Sequence, residues 1–217
     1  MKKALLIFHY LGQQWMQVTS PIKIWTERLT GIWGSSPQDI WAVGGTQDYA
    51  IIIHYDGKTW SDLTPPITPY PFVSKIWGSS AQDIWAVGGT HFPYTLHYVG
   101  TQVTTNQPSG NGPLTDIWGA SGGSVWAVGE QGTLLHYAGS GWTSASISTS
   151  DDLYGVWGSG ASALWVVGEG GAILHYSGTQ WSDASSPTIR TLYAVWGSSA
   201  KDVWAVGERG TILRYHQ

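Results

Sequence analysis

Histidine recurs at one place in a repeated pattern: His9, His54, His97, His136 and His175. Imidazole is the commonest protein ligand of metal ions, so by residue type alone this column reads as metal-binding. Each histidine is followed by tyrosine, and the last copy reads Arg214-Tyr215. A guanidinium cannot ligate a cation, but it can donate hydrogen bonds. Spacing argues the same way. On a third strand out from an axis, with strands about 4.8 Å apart, equivalent side chains of neighbouring units lie over roughly 15 Å from each other. A metal draws its ligands to about 2 Å of one centre. The column is therefore expected to make structural hydrogen bonds, with no metal and no cofactor.

Two further motifs carry chemistry by letter only. Gly119-Ala120-Ser121-Gly122-Gly123 fits Gly-x-Ser-x-Gly. A nucleophile elbow needs a strand-to-helix turn, and the other copies here read Gly34-Ser35-Ser36 and Gly197-Ser198-Ser199, a hairpin. Gly168-Glu169-Gly170-Gly171 lacks a following helix to aim at a phosphate. No carboxylate pair or histidine triad stands outside the repeated columns, so the sequence is read as a non-enzyme. Asp39, Asp83 and Asp202, in Ser-Ser-x-x-Asp turns, are expected to bond to nearby backbone.

The elements holding these residues follow from the repeat. Trp-Gly occurs at Trp33, Trp77, Trp118, Trp157 and Trp196, in steps of 44, 41, 39 and 39 residues. A second tryptophan follows each by eight: Trp41, Trp85, Trp126, Trp165 and Trp204. A third column holds Trp60, Trp142 and Trp181, with Val103 in the remaining place and a stray copy at Trp15. Of the 15 tryptophans only Trp25 falls outside these columns. A fixed period near 40 residues marks stacked supersecondary units. Tryptophan repeated at one strand position is best used as packing between them, whereas the third column is expected to be partly exposed.

Each unit reads as strands. Leu153 to Trp157, Leu164 to Val167 and Ala172 to Tyr176 are aromatic or β-branched runs, separated by Gly-rich turns, with a fourth strand at Trp181. The runs are apolar on both faces, which suits sheets covered on both sides. The expected fold is all-β: a five-bladed β-propeller with four-stranded antiparallel blades and essentially no helix. The blades run over residues 20–64, 65–107, 108–146, 147–185 and 186–217, the last completed by 11–19 in one domain. The C-terminal copy stops at a third strand, and Gln14 to Val18 supplies a fourth, so N- and C-terminal strands are expected to close the ring. Residues 4–10 then duplicate a third strand, as an extra edge, as a pairing surface for another chain, or because the sequence begins within a repeat.

Composition narrows the partners. Charged residues make up 11% and net charge is −4, without a basic run. Nucleic-acid binding needs clustered cations and is not expected. The chain has no cysteine, hence no disulfide or thiolate site. The start, Met1-Lys2-Lys3 and a short apolar run, lacks a cleavage site and reads as a strand rather than a signal peptide. No run reaches the roughly 18 apolar residues of a membrane span.

The pattern Trp-Gly-Ser-Ser-x-x-Asp-Ile/Val-Trp-Ala-Val-Gly, then Gly-Thr-Ile-Leu-x-Tyr and x-Gly-x-x-Trp, covers nearly the whole chain. It resembles the tryptophan-rich propeller repeats of bacterial surface and secreted proteins, and is similar to tectonin-type repeats. Tectonin and tachylectin propellers are lectins, so the resemblance implies glycan binding and a secreted or cell-surface setting. Asp56-Gly57-Lys58-Thr59-Trp60 resembles the Asp-box of sialidase-like propellers, but no other copy carries the aspartate.

A scaffold repeats, and loops that do not repeat carry function. The turns between strands two and three are long in the first two blades, Gly45 to Tyr49 and Gly89 to Tyr94, with a long connection from Thr64 to Phe72 between those blades. Asp48, Tyr49, Tyr70, His91 and Tyr94 are the expected ligand-binding residues: rings to stack on a sugar, Asp48 and His91 to bond hydroxyls. Glu130, Glu169 and Glu208, in the three tight turns, form a second, quasi-symmetric candidate. The expected role is lectin-like recognition of a glycan. The alternative is a structural or protein-interaction propeller whose face docks a partner.

Overall fold

The computed structural model describes residues 6–22, 28–46, 49–66, 71–120 and 123–216. Among them the regular structure is antiparallel strand apart from two single 3-10 turns. β1 (Ile7–Leu11) and β2 (Gln14–Val18) form a two-stranded hairpin. Four four-stranded sheets follow. The first is β3 (Arg28–Ser36), β4 (Asp39–Gly45), β5 (Ala50–Tyr55) and β6 (Trp60–Asp62). The second is β7 (Val73–Ser80), β8 (Asp83–Gly88), β9 (Tyr94–Val99) and β10 (Gln102–Asn106). The third is β11 (Leu114–Ala120), β12 (Ser124–Gly129), β13 (Leu134–Ala138) and β14 (Trp142–Ser144). The fourth is β15 (Leu153–Gly160), β16 (Ala163–Gly168), β17 (Ile173–Tyr176) and β18 (Trp181–Asp183). The last sheet has three strands: β19 (Leu192–Ser199), β20 (Asp202–Gly207) and β21 (Ile212–His216). Single 3-10 turns at Glu169–Gly171 and Glu208–Gly210 connect β16 to β17 and β20 to β21.

Every first strand carries a bulge two or three residues before its tryptophan, at Leu29/Gly31, Val73/Lys75, Leu114/Asp116, Leu153/Gly155 and Leu192/Ala194. A bulge re-aims a side chain. Here it turns a hydroxyl onto the next sheet: Thr30 donates to the Val73 carbonyl, Ser74 to Leu114 and Thr115 to Leu153. First strands of successive sheets accordingly pack side by side, β3 on β7, β7 on β11, β11 on β15 and β15 on β19.

The core lies between sheets. Trp41 packs with Val43 and Ile52 of its own sheet and with Ile76, Ile84 and Tyr98 of the next. The first four second-column tryptophans are each held on two sides. The histidine of the same sheet lies against one side: Trp41–His54 at 4.4 Å, Trp85–His97 at 3.6 Å, Trp126–His136 at 4.0 Å and Trp165–His175 at 4.2 Å between ring centroids. The next sheet's tyrosine lies against the other: Tyr98, Tyr137, Tyr176 and Tyr215. The third-column Trp142 and Trp181 are half-buried and edge onto Trp85 and Trp126. They complete the packing between sheets.

The chain ends depart from expectation. The strand around Trp15 was expected to pair with the strand ending at Tyr215 and close the ring. It pairs instead with β1, in a register that sets Tyr10 opposite Trp15, while β21 pairs with β20. The reason is local: Gly12, at φ 68°, makes a tight two-residue turn, so a neighbouring strand is captured at little loop cost. The blade expected to borrow residues 11–19 is thus three-stranded. The hairpin sits on the first sheet, with His9 against Tyr55 at 5.9 Å.

Candidate functional site

The starts of the first strands and the turns after the second strands come together on one face. They enclose a cleft of about 930 Å³ crossing the first three sheets. Arg28, Phe72, Lys75, His91 and Glu130 line it, over the hydroxyls of Thr30, Ser74 and Thr115. Arg28 lies over the Phe72 ring, its guanidinium carbon 5.1 Å from the centroid. Among the described residues neither Arg28 nor Lys75 makes an ion pair.

Lys75 enters the cleft through the bulge. Its equivalents in the other first strands are Gly31, Asp116, Gly155 and Ala194. Burial pushes the Asp116 carboxyl up to about 6, against the pull of a hydrogen bond from the Val156 N–H at 3.0 Å and of the Lys75 charge. The far side is acidic. Burial and the charge of Asp152 raise Glu130. Burial, and then the charges of Asp152, Glu169 and Glu130, push the Tyr154 hydroxyl up to about 12. Arg28 and Lys75 of the first two sheets thus share the cleft with Glu130, which follows β12 of the third.

The expected site residues divide. His91 is exposed and lines the cleft with Glu130. Tyr94 does not serve as a stacking platform: it begins β9 and is 7% exposed, in a core cluster with Trp41 and Leu96. Tyr49 is half-buried and packs toward Ile22, Ala42 and Ile53. Strand alternation turns both rings inward, because each precedes or opens a strand whose faces are covered. Asp48 and Tyr70 lie outside the described residues. Glu169 acts with Glu130 on Tyr154, whereas Glu208 stands on the last sheet, where its N–H donates to the Thr191 carbonyl at 2.8 Å. Arg28, Lys75 and Asp116 were missed. The signal for two of them was a charged residue in a strand-one column otherwise filled by glycine and alanine.

The histidine column makes structural contacts, as expected from its spacing. His54 Nε2 lies 2.6 Å from Asp39 Oδ1, and His97 Nε2 lies 2.6 Å from Asp83 Oδ1. Arg214 Nε donates to Asp202 at 2.8 Å. His136 meets the Ser124 hydroxyl at 2.8 Å. In the fourth sheet Ala163 stands where Asp39, Asp83 and Ser124 stand in the others, so His175 rests on its ring contact with Trp165. The turn aspartates are therefore more than backbone caps. Asp39 accepts from Ser35, Trp41 Nε1 and His54, and these bonds together outweigh burial and hold its carboxyl below the usual range. Among the described residues no three His, Cys, Asp or Glu side chains converge as metal ligands.

Successive antiparallel sheets packed by their faces, with first strands side by side and a cleft over their ends, define a propeller-type protein. No protein-family profile matches the chain, and a search of curated proteins found no match. Among solved structures the chain is similar to YCF48 from Cyanidioschyzon merolae. The TM-score is 0.72 at 14% identity, over 97% of this chain and 74% of that one. It also matches a structure described as YCF48 bound to D1 peptide, with TM-score 0.46 at 15% identity, over 95% and 83% of the two chains. The first likeness shows the propeller fold.

Proposed function

We propose that the protein is a non-catalytic binding module whose cleft takes a peptide segment of a partner protein. The charge polarity of the cleft carries this reading. Arg28 and Lys75 line one side and Glu130 the other, across a groove that spans three sheets. An extended peptide with an acidic group at one end and a basic group at the other meets both. Hydroxyls and strand-end carbonyls between them offer main-chain hydrogen bonds. The arc of five sheets and a hairpin presents this face as part of a propeller.

Lectin-like glycan recognition, the reading implied by the tectonin resemblance, has less support. A neutral sugar is held by exposed rings, and Tyr49 and Tyr94 pack inward.

Fluorescence polarisation against a library of charged hexapeptides tests the proposal. Lys75→Glu is expected to abolish binding of the selected peptide and to favour one with its acidic end made basic. Glu130→Lys is expected to do the reverse at the other end. Binding of a neutral glycan that survives both reversals, with no peptide selected, would overturn the reading.

A further inference from the structure

The fourth strands form the outer edges of the sheets, and one of them differs from the rest. β6, β14 and β18 are three residues long, and their last residues bond connecting segments. Asp62 accepts from the Thr64 N–H, Ser144 donates to the Ser109 carbonyl, and Asp183 accepts from the Ser148 hydroxyl. Short edges and edge charges discourage pairing with another chain. β10 has neither device. It runs five residues, Gln102-Val103-Thr104-Thr105-Asn106, and stands last in its sheet, so among the described residues no strand pairs along its outer side. Val103, Thr104 and Thr105 are β-branched and favour the strand. Between Asp83 and Asp116 the chain carries no Asp, Glu, Lys or Arg.

The sequence of β10 also matches itself in the antiparallel sense. With Thr104 at the centre, a second copy sets Gln102 opposite Asn106, Val103 opposite Thr105, and Thr104 opposite its own counterpart. Gln102, Thr104 and Asn106 are exposed, whereas Val103 packs on the core around Trp41. The exposed face thus pairs amide with amide and hydroxyl with hydroxyl, and the covered face pairs two branched side chains. Cross-strand pairs of these kinds stabilise a sheet. A charge at the centre of such an edge would meet its own copy across a two-fold axis, and this edge carries none.

We propose that the protein dimerises edge to edge through β10, joining two four-stranded second sheets into one continuous antiparallel sheet. The occupant of the edge is a second copy of this chain. A two-fold contact of this kind is isologous and uses both edges, so assembly stops at two chains. No residue of β10 lines the cleft, so the dimer stands independently of the peptide-binding reading.

Sedimentation velocity of the full chain reads the outcome. The wild-type mass is expected to rise with concentration from one chain to two and no further. Thr104→Lys and Thr104→Glu each set like charges face to face, and each alone is expected to remain a single chain. Their equimolar mixture sets opposite charges across the axis and is expected to recover the dimer. Thr104 is exposed, and circular dichroism confirms that both variants fold. Cross-linking gives a second reading that needs no charged variant, because the chain has no cysteine. Thr104→Cys is expected to form a disulfide-linked dimer on oxidation, since directly opposed residues lie within disulfide reach. Thr143→Cys, at the centre of β14, is expected to stay monomeric. A wild-type mass of one chain at every concentration, a mixture that stays monomeric, or equal cross-linking at Thr104 and Thr143 would overturn the proposal.

Discussion

The indole of Trp33 ends against the α-carbon of Gly78 in the following sheet: a methyl placed there would lie 2.8 Å from its Cη2. The same relation joins Trp77 to Gly119, where a methyl would come within 2.5 Å, Trp118 to Gly158 and Trp157 to Gly197. The Trp-Gly pair is therefore a two-sided unit. Its tryptophan packs forward, and its glycine accepts the tryptophan from behind.

Gly119→Ala is expected to lower stability by about 1–3 kcal/mol, because the Trp77 ring is fixed in a packed interface and cannot yield. Gly160→Ala, where an added methyl meets nothing within 4 Å, is the control. It should change stability by less than about 0.5 kcal/mol. Urea unfolding of both variants checks the contrast, and equal midpoints would refute the role assigned to the Trp-Gly pair.

Ala163→Asp is expected to stabilise the fourth sheet. Asp39 bonds Ser35, the Trp41 indole and His54 at once, and Ser159, Trp165 and His175 stand in the equivalent places around Ala163. The Trp165 indole N–H is buried without a partner. Satisfying it and pairing His175 should contribute about 1 kcal/mol. Thermal unfolding measures the gain, and NMR titration should show the His175 pKa rise. A melting temperature that falls would show that the site cannot take the carboxylate.

His136 and His175 predict acid sensitivity. Burial holds both imidazoles below their ordinary pKa of 6.5, so the folded state binds fewer protons than the unfolded one just below that pH. Stability should be fully present above about 6.5 and be lost as pH falls through it. His136→Gln should flatten this slope in denaturation midpoints taken from pH 7.5 to 5.5. An unchanged slope would remove His136 as its source.

Asp116 predicts the opposite slope. Its carboxyl is pushed from 3.8 to about 6, so the folded state holds a proton that the unfolded state has released. Its contribution is greatest below the unfolded value and is lost as pH rises through about 6. Asp116→Asn keeps an acceptor for the Val156 N–H and should raise stability at pH 7.5 by about 1–2 kcal/mol, with less effect at pH 4. Chemical denaturation at the two pH values tests this, and a variant less stable at both would show that the charge is compensated in the fold.

Ser74→Ala removes the hydroxyl that the bulge turns onto the Leu114 carbonyl at 2.7 Å. The expected loss is about 1 kcal/mol, as for one net hydrogen bond between sheets. Calorimetry of Ser74→Ala beside the exposed control Ser162→Ala isolates that bond. Indistinguishable melting temperatures would remove it from the stabilising set.

The repeated columns made the array legible without coordinates. Trp33 to Trp196, Trp41 to Trp204 and the His-Tyr pairs mark strands one, two and three at a fixed period, and period is a local property that composition and spacing reveal. The separation of the histidines followed from the same arithmetic. Tertiary packing decided the rest. Whether Trp15 joins β1 or β21 depends on the competition between a two-residue turn and a closure across the whole array, and the shorter loop prevailed. Tyr94 looked like a turn-tip ring, but the turn ends at Pro93 and strand alternation drives the ring into the core. Arg28, Lys75 and Glu130 are far apart in sequence, and only the side-by-side packing of β3, β7 and β11 brings them to one cleft. Convergence of that kind depends on how whole sheets sit against each other, a relation that no local pattern encodes.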